Sequence, residues 1–371
     1  RQFHHCPFRG GGSMSKGYEL CDKIKNLTPY DPLEGEYRLR LDANESYFEP
    51  DENLRRELGE IAAKTAFNRY PDPYAVEVCR AFAEFYGLPE SLVTAGNGSD
   101  ELISIICGTL LQKGEKLLTF APDFSMYRFY AELYELESVV MEKEPDLTLP
   151  VDRVISYINE NQVAAVMFSN PCNPTSLGLS RENVRKLVSS VKALVVLDEA
   201  YMDFWDQSFL PEVQEHDNLI VLKTCSKAIG MAAVRLGFAV AKPALSIALR
   251  AAKSPYNVNS ISQAIGAHIL SKREFLLDCR DQLVKSAREL NARLNKLAGE
   301  FPVLETVHPT CTNFVFVKTP AAREIHQKLL EKSIAVRCFG KYLRITAPSP
   351  EQMEELLAAL HDILVEMRDN A

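Results

Sequence analysis

Six short apolar runs punctuate the middle of the chain: "SLVTAG" (91–96), "EKLLTF" (115–120), "VAAVMFS" (163–169), "ALVVLDEA" (193–200), "NLIVLKT" (218–224) and "LGFAVA" (236–241). Each is strand-sized and almost uninterrupted by polar residues, as expected of strands covered on both faces. Between several of them lie longer segments with apolar residues at helical spacing, among them "DELISIICGTLLQKG" and "RENVRKLVSSVK". Strands alternating with helices of this length predict βα units and a largely parallel sheet. Ligands of such sheets bind at the carboxyl ends of the strands. From about residue 258 the texture changes to long helical stretches, notably "REFLLDCRDQLVKSARELNARLNKLAGEF". Strand-like "TNFVFVK" (312–318) and "YLRIT" (342–346) follow, then a final helix. Ser349, Pro350 and Gln352 supply its N-cap, its first-turn proline and its capping-box partner. Met353, Leu356, Leu357, Leu360, Ile363 and Leu364 form its apolar face. The expected architecture is α/β, a large domain over 46–257 followed by a smaller α+β domain over 258–371.

Composition narrows the class. The 371 residues are 46% hydrophobic and 25% charged, an ordinary globular profile. A net charge of -8 argues against nucleic acid as a partner, which calls for a basic stripe. No apolar run approaches the ~20 residues of a membrane span. Nine cysteines without a C-x-x-C pair fit a reducing compartment, the cytoplasm, better than a disulfide framework. Histidines at metal-ligand spacing are missing, so no metal is expected. The leading "RQFHHCPFRGGGS" reads as vector-derived sequence, with Met14 as a natural start and 14–45 as an amino-terminal arm.

Four clusters follow directly after predicted strands. In "AGNGSDELI" (95–103), Gly96 and Gly98 allow an unusual turn, and Ser99 and Asp100 can cap the helix that starts there. In "SNPCNPTSLG" (169–178), two Asn-Pro pairs impose extended or turn backbone and leave the Asn170 and Asn173 amides available. In "VVLDEAYMDF" (195–204), Asp198 ends an apolar strand, where an unpaired carboxylate is unfavourable, and Tyr201 follows three residues on. In "LKTCSKAIGMAAVRLG" (222–237), Thr224 and Ser226 flank Lys227, and Arg235 lies eight residues further. Each cluster alone fits a plain turn or loop. Together they suit a ligand with a phosphate, a group needing a carboxylate partner, a polar oxygen, and an aldehyde that a lysine can bond. Pyridoxal 5'-phosphate has all four.

The chain resembles the fold-type I, aspartate aminotransferase-like enzymes that use pyridoxal 5'-phosphate, and within them the histidinol-phosphate aminotransferases. The resemblance rests on markers in family order: "LTPYDP", "LDANES", "NRYPDP", "GNGSDE", "APDFSMY", "NPCNPTS", "LDEAY", "TCSKA", "VRLGF", "PYNVNS" and "LRIT". It implies that Lys227 bonds covalently to the cofactor and serves as general base. Asp198 would partner the ring nitrogen, Asn173 and Tyr201 the ring's phenolic oxygen, and Phe124 would stack on the ring. Gly98, Ser99, Asp100, Thr224, Ser226 and Arg235 would hold the phosphate. Tyr70 would reach the cofactor of a second subunit, implying a homodimer with shared sites. Transfer between an amino donor and an oxo-acid acceptor requires a neutral lysine amine, which desolvation and nearby positive charge favour.

For the substrate, the resemblance implies Arg344 and Arg337 as a pair gripping a donor phosphate, with Tyr30 closing over it and Asn257 near the pocket. Two guanidiniums match the several oxygens of a dianion. The chain departs from the family in reading "NPTS" for the usual "NPTG", and only "CFGKYL" separates the two arginines. An aromatic aminotransferase or a threonine-phosphate decarboxylase of the same fold is the alternative. A ligand-sensing DNA-binding relative would need a helix-turn-helix for which neither terminus has room, and no G-x-G-x-x-G follows a strand to bind a dinucleotide.

Overall fold

A computed structural model describes residues 17–25, 27 and 33–370. The leading segment 1–13, Met14 and Tyr30 lie outside the described residues. The chain divides into two units, Arg1–Glu34 and Gly35–Ala371. Within the described part of the first, Asp22–Lys25 forms a single helical turn.

The second unit contains thirteen strands: β1 (Leu39–Arg40), β2 (Val93–Asn97), β3 (Lys116–Ala121), β4 (Glu137–Glu142), β5 (Val163–Ser169), β6 (Leu194–Asp198), β7 (Leu219–Thr224), β8 (Leu236–Ala241), β9 (Thr306–Val307), β10 (Phe314–Lys318), β11 (Ile334–Ala335), β12 (Arg337–Phe339) and β13 (Tyr342–Thr346). Seven of them form a sheet in the order β2-β8-β7-β6-β5-β3-β4, parallel except for β8, which runs against both its neighbours. Successive residues enter opposite cores: Val195, Leu197 and Val221 pack in one, Val196, Ile220 and Leu222 in the other. This two-sided burial is why those strands read as unbroken apolar runs. All six predicted central strands are present. The seventh, β4, is a half-exposed edge whose residues alternate, so it lacks the apolar run that marks the others.

A second, antiparallel sheet, β12-β13-β10-β9, turns one face to a core of its own. Val315, Val317, Leu343 and Ile345 point there, against the helices Arg273–Glu300, Ala322–Glu331 and Pro350–Asp369. The last helix has the predicted capping box, and its six predicted apolar residues are buried. Two sequence boundaries shift. Ile269, Leu270 and Leu276 still pack in the core of the large sheet, so the change of texture at 258 precedes the change of core. Leu39 and Leu41, placed in an amino-terminal arm, pack in the smaller core, where β1 pairs with β11. Short apolar pairs such as these carry too little periodicity to reveal a partner some 300 residues away.

Candidate active site

Strands β2, β5, β6 and β7 end, and β8 begins, along one edge of the large sheet, and the four sequence clusters meet there. Gly98 takes φ 80° as the residue before the helix Ser99–Ile105. It makes no side-chain cap, and neither Ser99 nor Asp100 is the cap that the sequence suggested. The turn is instead held by Glu101, whose carboxylate accepts from the Asn97 N–H at 2.6 Å. Asn257, assigned by resemblance to the substrate pocket, also braces this turn: it donates to Glu101 at 2.8 Å and accepts from Lys253 at 2.9 Å. Both ends of the Asn257 amide are thus engaged by its neighbours.

Against this turn lies Arg235, which reaches Asp100 at 4.0 Å and donates to Ser226 Oγ at 3.4 Å. Thr224 Oγ1 accepts from the Ser226 N–H at 3.1 Å, tying the end of β7 to the same turn. The approach is close: a Cβ on Gly98 would come within 2.7 Å of the guanidinium, and one on Gly237 within 2.3 Å of the Ser99 nitrogen. A guanidinium, two hydroxyls and glycine-lined backbone at a helix start form a cradle suited to an oxyanion.

Asp198 ends β6 and is only 4% exposed. Its carboxylate accepts from the Tyr127 hydroxyl at 2.6 Å and the Ala200 N–H at 3.0 Å, and among the described residues no cationic side chain is paired with it. Burial raises its pKa to about 6. A buried carboxylate so placed suits a cationic ring nitrogen. Phe124 lies edge-on to Tyr127, ring centres 5.5 Å apart. In the cofactor-free protein the raised pKa has a measurable sign. The folded state binds the proton more tightly than the unfolded chain, so the contribution of Asp198 to stability is greatest below about pH 4 and is lost as pH rises through about 6. The loss approaches about 3 kcal/mol. Asp198→Asn should therefore raise the denaturant midpoint of cofactor-free protein at pH 7.5, and the gain should shrink toward pH 5. A pH-independent difference would contradict this assignment.

Lys227 Nζ sits 5.7 Å from the centre of the Tyr201 ring and donates to the Ala43 carbonyl at 2.8 Å. Tyr201 in turn accepts from Asn44 Nδ2 at 2.9 Å, and Asn44 is fixed by Thr346 and Asn313 from the smaller sheet. Asn173 Oδ1 accepts from Arg344 at 2.6 Å, and Arg344 also donates to the Asp42 carbonyl. Arg337 stands directly opposite Arg344 in the β12–β13 register. The brevity of "CFGKYL" produces this: the strands are joined by the two residues Gly340 and Lys341, with Gly340 at φ 61°. Directly opposed residues share a face, so both arginines leave the sheet on the same side. At the "NPTS" departure, Ser176 adopts φ 61° and its hydroxyl donates to the Pro309 carbonyl at 2.8 Å.

Tyr70 lies elsewhere, 81% exposed and stacked on Tyr256. No role was expected of Asn44, Tyr127, Asp42 or Asn313. Asn44 and Asp42 lie in "LDANES" and Tyr127 ends "APDFSMY", so the motifs contained a signal that single-residue chemistry did not separate.

The sequence matches the family described as aminotransferase class I and II over residues 38–360. It is 38% identical over 339 residues to a histidinol-phosphate aminotransferase of Clostridium novyi (strain NT), covering 90% of this chain and 94% of that one. The fold is similar to a crystal structure of histidinol-phosphate aminotransferase from Sinorhizobium meliloti in complex with pyridoxal-5'-phosphate, with TM-score 0.85, 22% identity, and 96% and 100% of the two chains covered. It is also similar to L-threonine-O-3-phosphate decarboxylase from Porphyromonas gingivalis, with TM-score 0.74, 21% identity, and 88% and 99% covered.

Proposed function

The chain belongs to the class I and II aminotransferases, and we propose that it transfers the amino group of histidinol phosphate to 2-oxoglutarate, a step of histidine biosynthesis, using pyridoxal 5'-phosphate. The observation that carries the choice of donor is the pairing of Arg337 with Arg344 across β12 and β13. The naming of the sequence relatives supports the same reading.

The donor set described above fits the cofactor. Gly98, Ser99 and Asp100 with Thr224, Ser226 and Arg235 would hold its phosphate, Asp198 its ring nitrogen, and Asn173 and Tyr201 its phenolic oxygen, with Phe124 against the ring. When bound, the cofactor supplies an electron sink that makes the carbon–hydrogen bond beside the donor nitrogen acidic. Asp198 would hold the ring nitrogen through its carboxylate. Lys227 would anchor the cofactor, and its Nζ would take the proton from the donor carbon. Asn44 orients the Tyr201 hydroxyl, and Asn173 aligns Arg344 for the donor phosphate. Tyr70 would act in a neighbouring subunit's site: with Phe67, Tyr74 and Tyr256 it forms an exposed aromatic stretch suited to burial by a second copy. Sedimentation at the mass of one chain would rule out this homodimer. We place the enzyme in the cytoplasm, since the eight described cysteines are free and no helix among the described residues is long and apolar enough to cross a membrane.

The deciding assay compares histidinol phosphate, phenylalanine, tyrosine and threonine phosphate as donors to 2-oxoglutarate. Histidinol phosphate should have the highest kcat/KM, and a higher value for phenylalanine would make this an aromatic aminotransferase. Arg337→Ala should lower kcat/KM for histidinol phosphate by about 10- to 100-fold, the loss of charge-assisted hydrogen bonds, and leave phenylalanine nearly unchanged. Equal losses for both donors would remove Arg337 from the phosphate site.

A further inference from the structure

Behind the Asn-Pro loop lies a cavity of about 340 Å³, walled in part by Phe120, Phe168 and Trp205 and reached by Asp123, Lys143 and Cys172. Lys143 Nζ donates to Cys172 Sγ at 3.0 Å. Burial works against the charge of Lys143, but Cys172 and Asp123 outweigh it and raise its pKa, so the nitrogen is an ammonium held beside the sulfur. Asp123 is fixed by the Phe124 N–H at 2.7 Å and by the Ser169 hydroxyl. A thiolate is the nucleophilic form of cysteine. The cavity admits a small oxidant to the pair, of which Cys172 is buried and Lys143 half-buried.

We infer that Cys172 and Lys143 are a redox modification site, joined reversibly through a sulfur–nitrogen bond when a peroxide enters the cavity. The Cys172 thiolate attacks a peroxide oxygen, the O–O bond breaks, and the sulfur becomes a sulfenic acid as hydroxide departs. The hydroxide takes one proton from the Lys143 ammonium, leaving water and a neutral amine. That nitrogen attacks the sulfur, the S–O bond breaks, and the hydroxyl leaves with a second amine proton as water. Thiolate, ammonium and hydrogen peroxide thus become a sulfenamide and two waters, the sulfur oxidised by two electrons and the peroxide reduced by two.

The consequence reaches the active site through one residue. Cys172 precedes Asn173, whose N–H donates to Ser169 Oγ at 3.1 Å and whose side chain holds Arg344. Drawing the sulfur onto Lys143 displaces Asn173 from both, so turnover falls. The loss of turnover rests on the aminotransferase reading above, whereas the crosslink itself is read without it.

To test this, cofactor-loaded enzyme is titrated with hydrogen peroxide, digested, and mass-analysed before and after dithiothreitol. The peptides carrying Lys143 and Cys172 should be recovered joined, lighter by two hydrogens than their sum, and should separate on reduction. Turnover should fall in proportion to the joined fraction and return with dithiothreitol. Cys172→Ser and Lys143→Arg should each abolish the joined species; should either fail to fold, the wild-type peptide map decides alone. Recovery of Cys172 as thiol or sulfinic acid without the crosslink, while exposed Cys21 is oxidised, overturns the chemistry. Crosslinked enzyme with full turnover overturns the regulatory role.

Discussion

Replacing Lys227 with alanine should lower turnover by about 10⁴-fold or more, because it removes both the covalent anchor and the base that moves the donor proton. The fold should survive. Lys227 makes a hydrogen bond to the Ala43 carbonyl, and a single such bond contributes about 1 kcal/mol. The melting temperature of Lys227→Ala should therefore stay within a few degrees of the parent. Borohydride should fix the cofactor to the Lys227 peptide of the parent and to no peptide of the variant. An alanine variant with parental turnover, or a parent that takes up no cofactor, would end the assignment.

The second large effect is on stability and concerns residues on the reverse side of the same strands. Lys223 is 1% exposed, although it neighbours the phosphate-side Thr224. Its ammonium is 3.0 Å from Asp203 Oδ1 and 4.8 Å from the centre of the Tyr86 ring, and the Tyr86 hydroxyl donates to the same carboxylate oxygen at 3.0 Å. One residue after Asp198, the buried Glu199 accepts from Ser208 and from the Phe209 N–H. Side chains alternate along a strand, so this ionic cluster lies on the opposite side of the sheet from Asp198 and Thr224. Lys223→Met should destabilise the protein by about 3 kcal/mol, since it leaves the half-buried Asp203 carboxylate without its cation. The double variant Lys223→Met/Asp203→Leu should recover much of that loss, as expected when both members of a buried pair are replaced by apolar groups. Denaturant unfolding of the parent, the single variant and the double variant tests both statements. Equal destabilisation of the single and double variants would show that the pair is not the source of the effect.

The apolar runs alone determined most of the large sheet. Six strands buried on both faces have no polar positions to spare, and that leaves a legible mark on the chain. The capped final helix was equally legible, because its signals are local in sequence. Asp198, Lys227, Arg235 and Asn173 stood out because polar groups at the ends of apolar strands are chemically conspicuous, and the structure brings them to one edge of the sheet. Edge strand β4, the pairing of β1 with β11 and the place of Asn257 could not, as each depends on a partner far along the chain. The same holds for Arg337 and Arg344. Their types and spacing were visible, but only a two-residue hairpin turn sets them on one face. Lys143 beside Cys172 and Lys223 beside Asp203 belong to this second class. The sequence determined which chemical groups the protein carries and the strands that present them. The tertiary structure decided which of those groups meet, because hydrogen bonds and ion pairs act over a few ångströms and the chain brings their partners together only on folding.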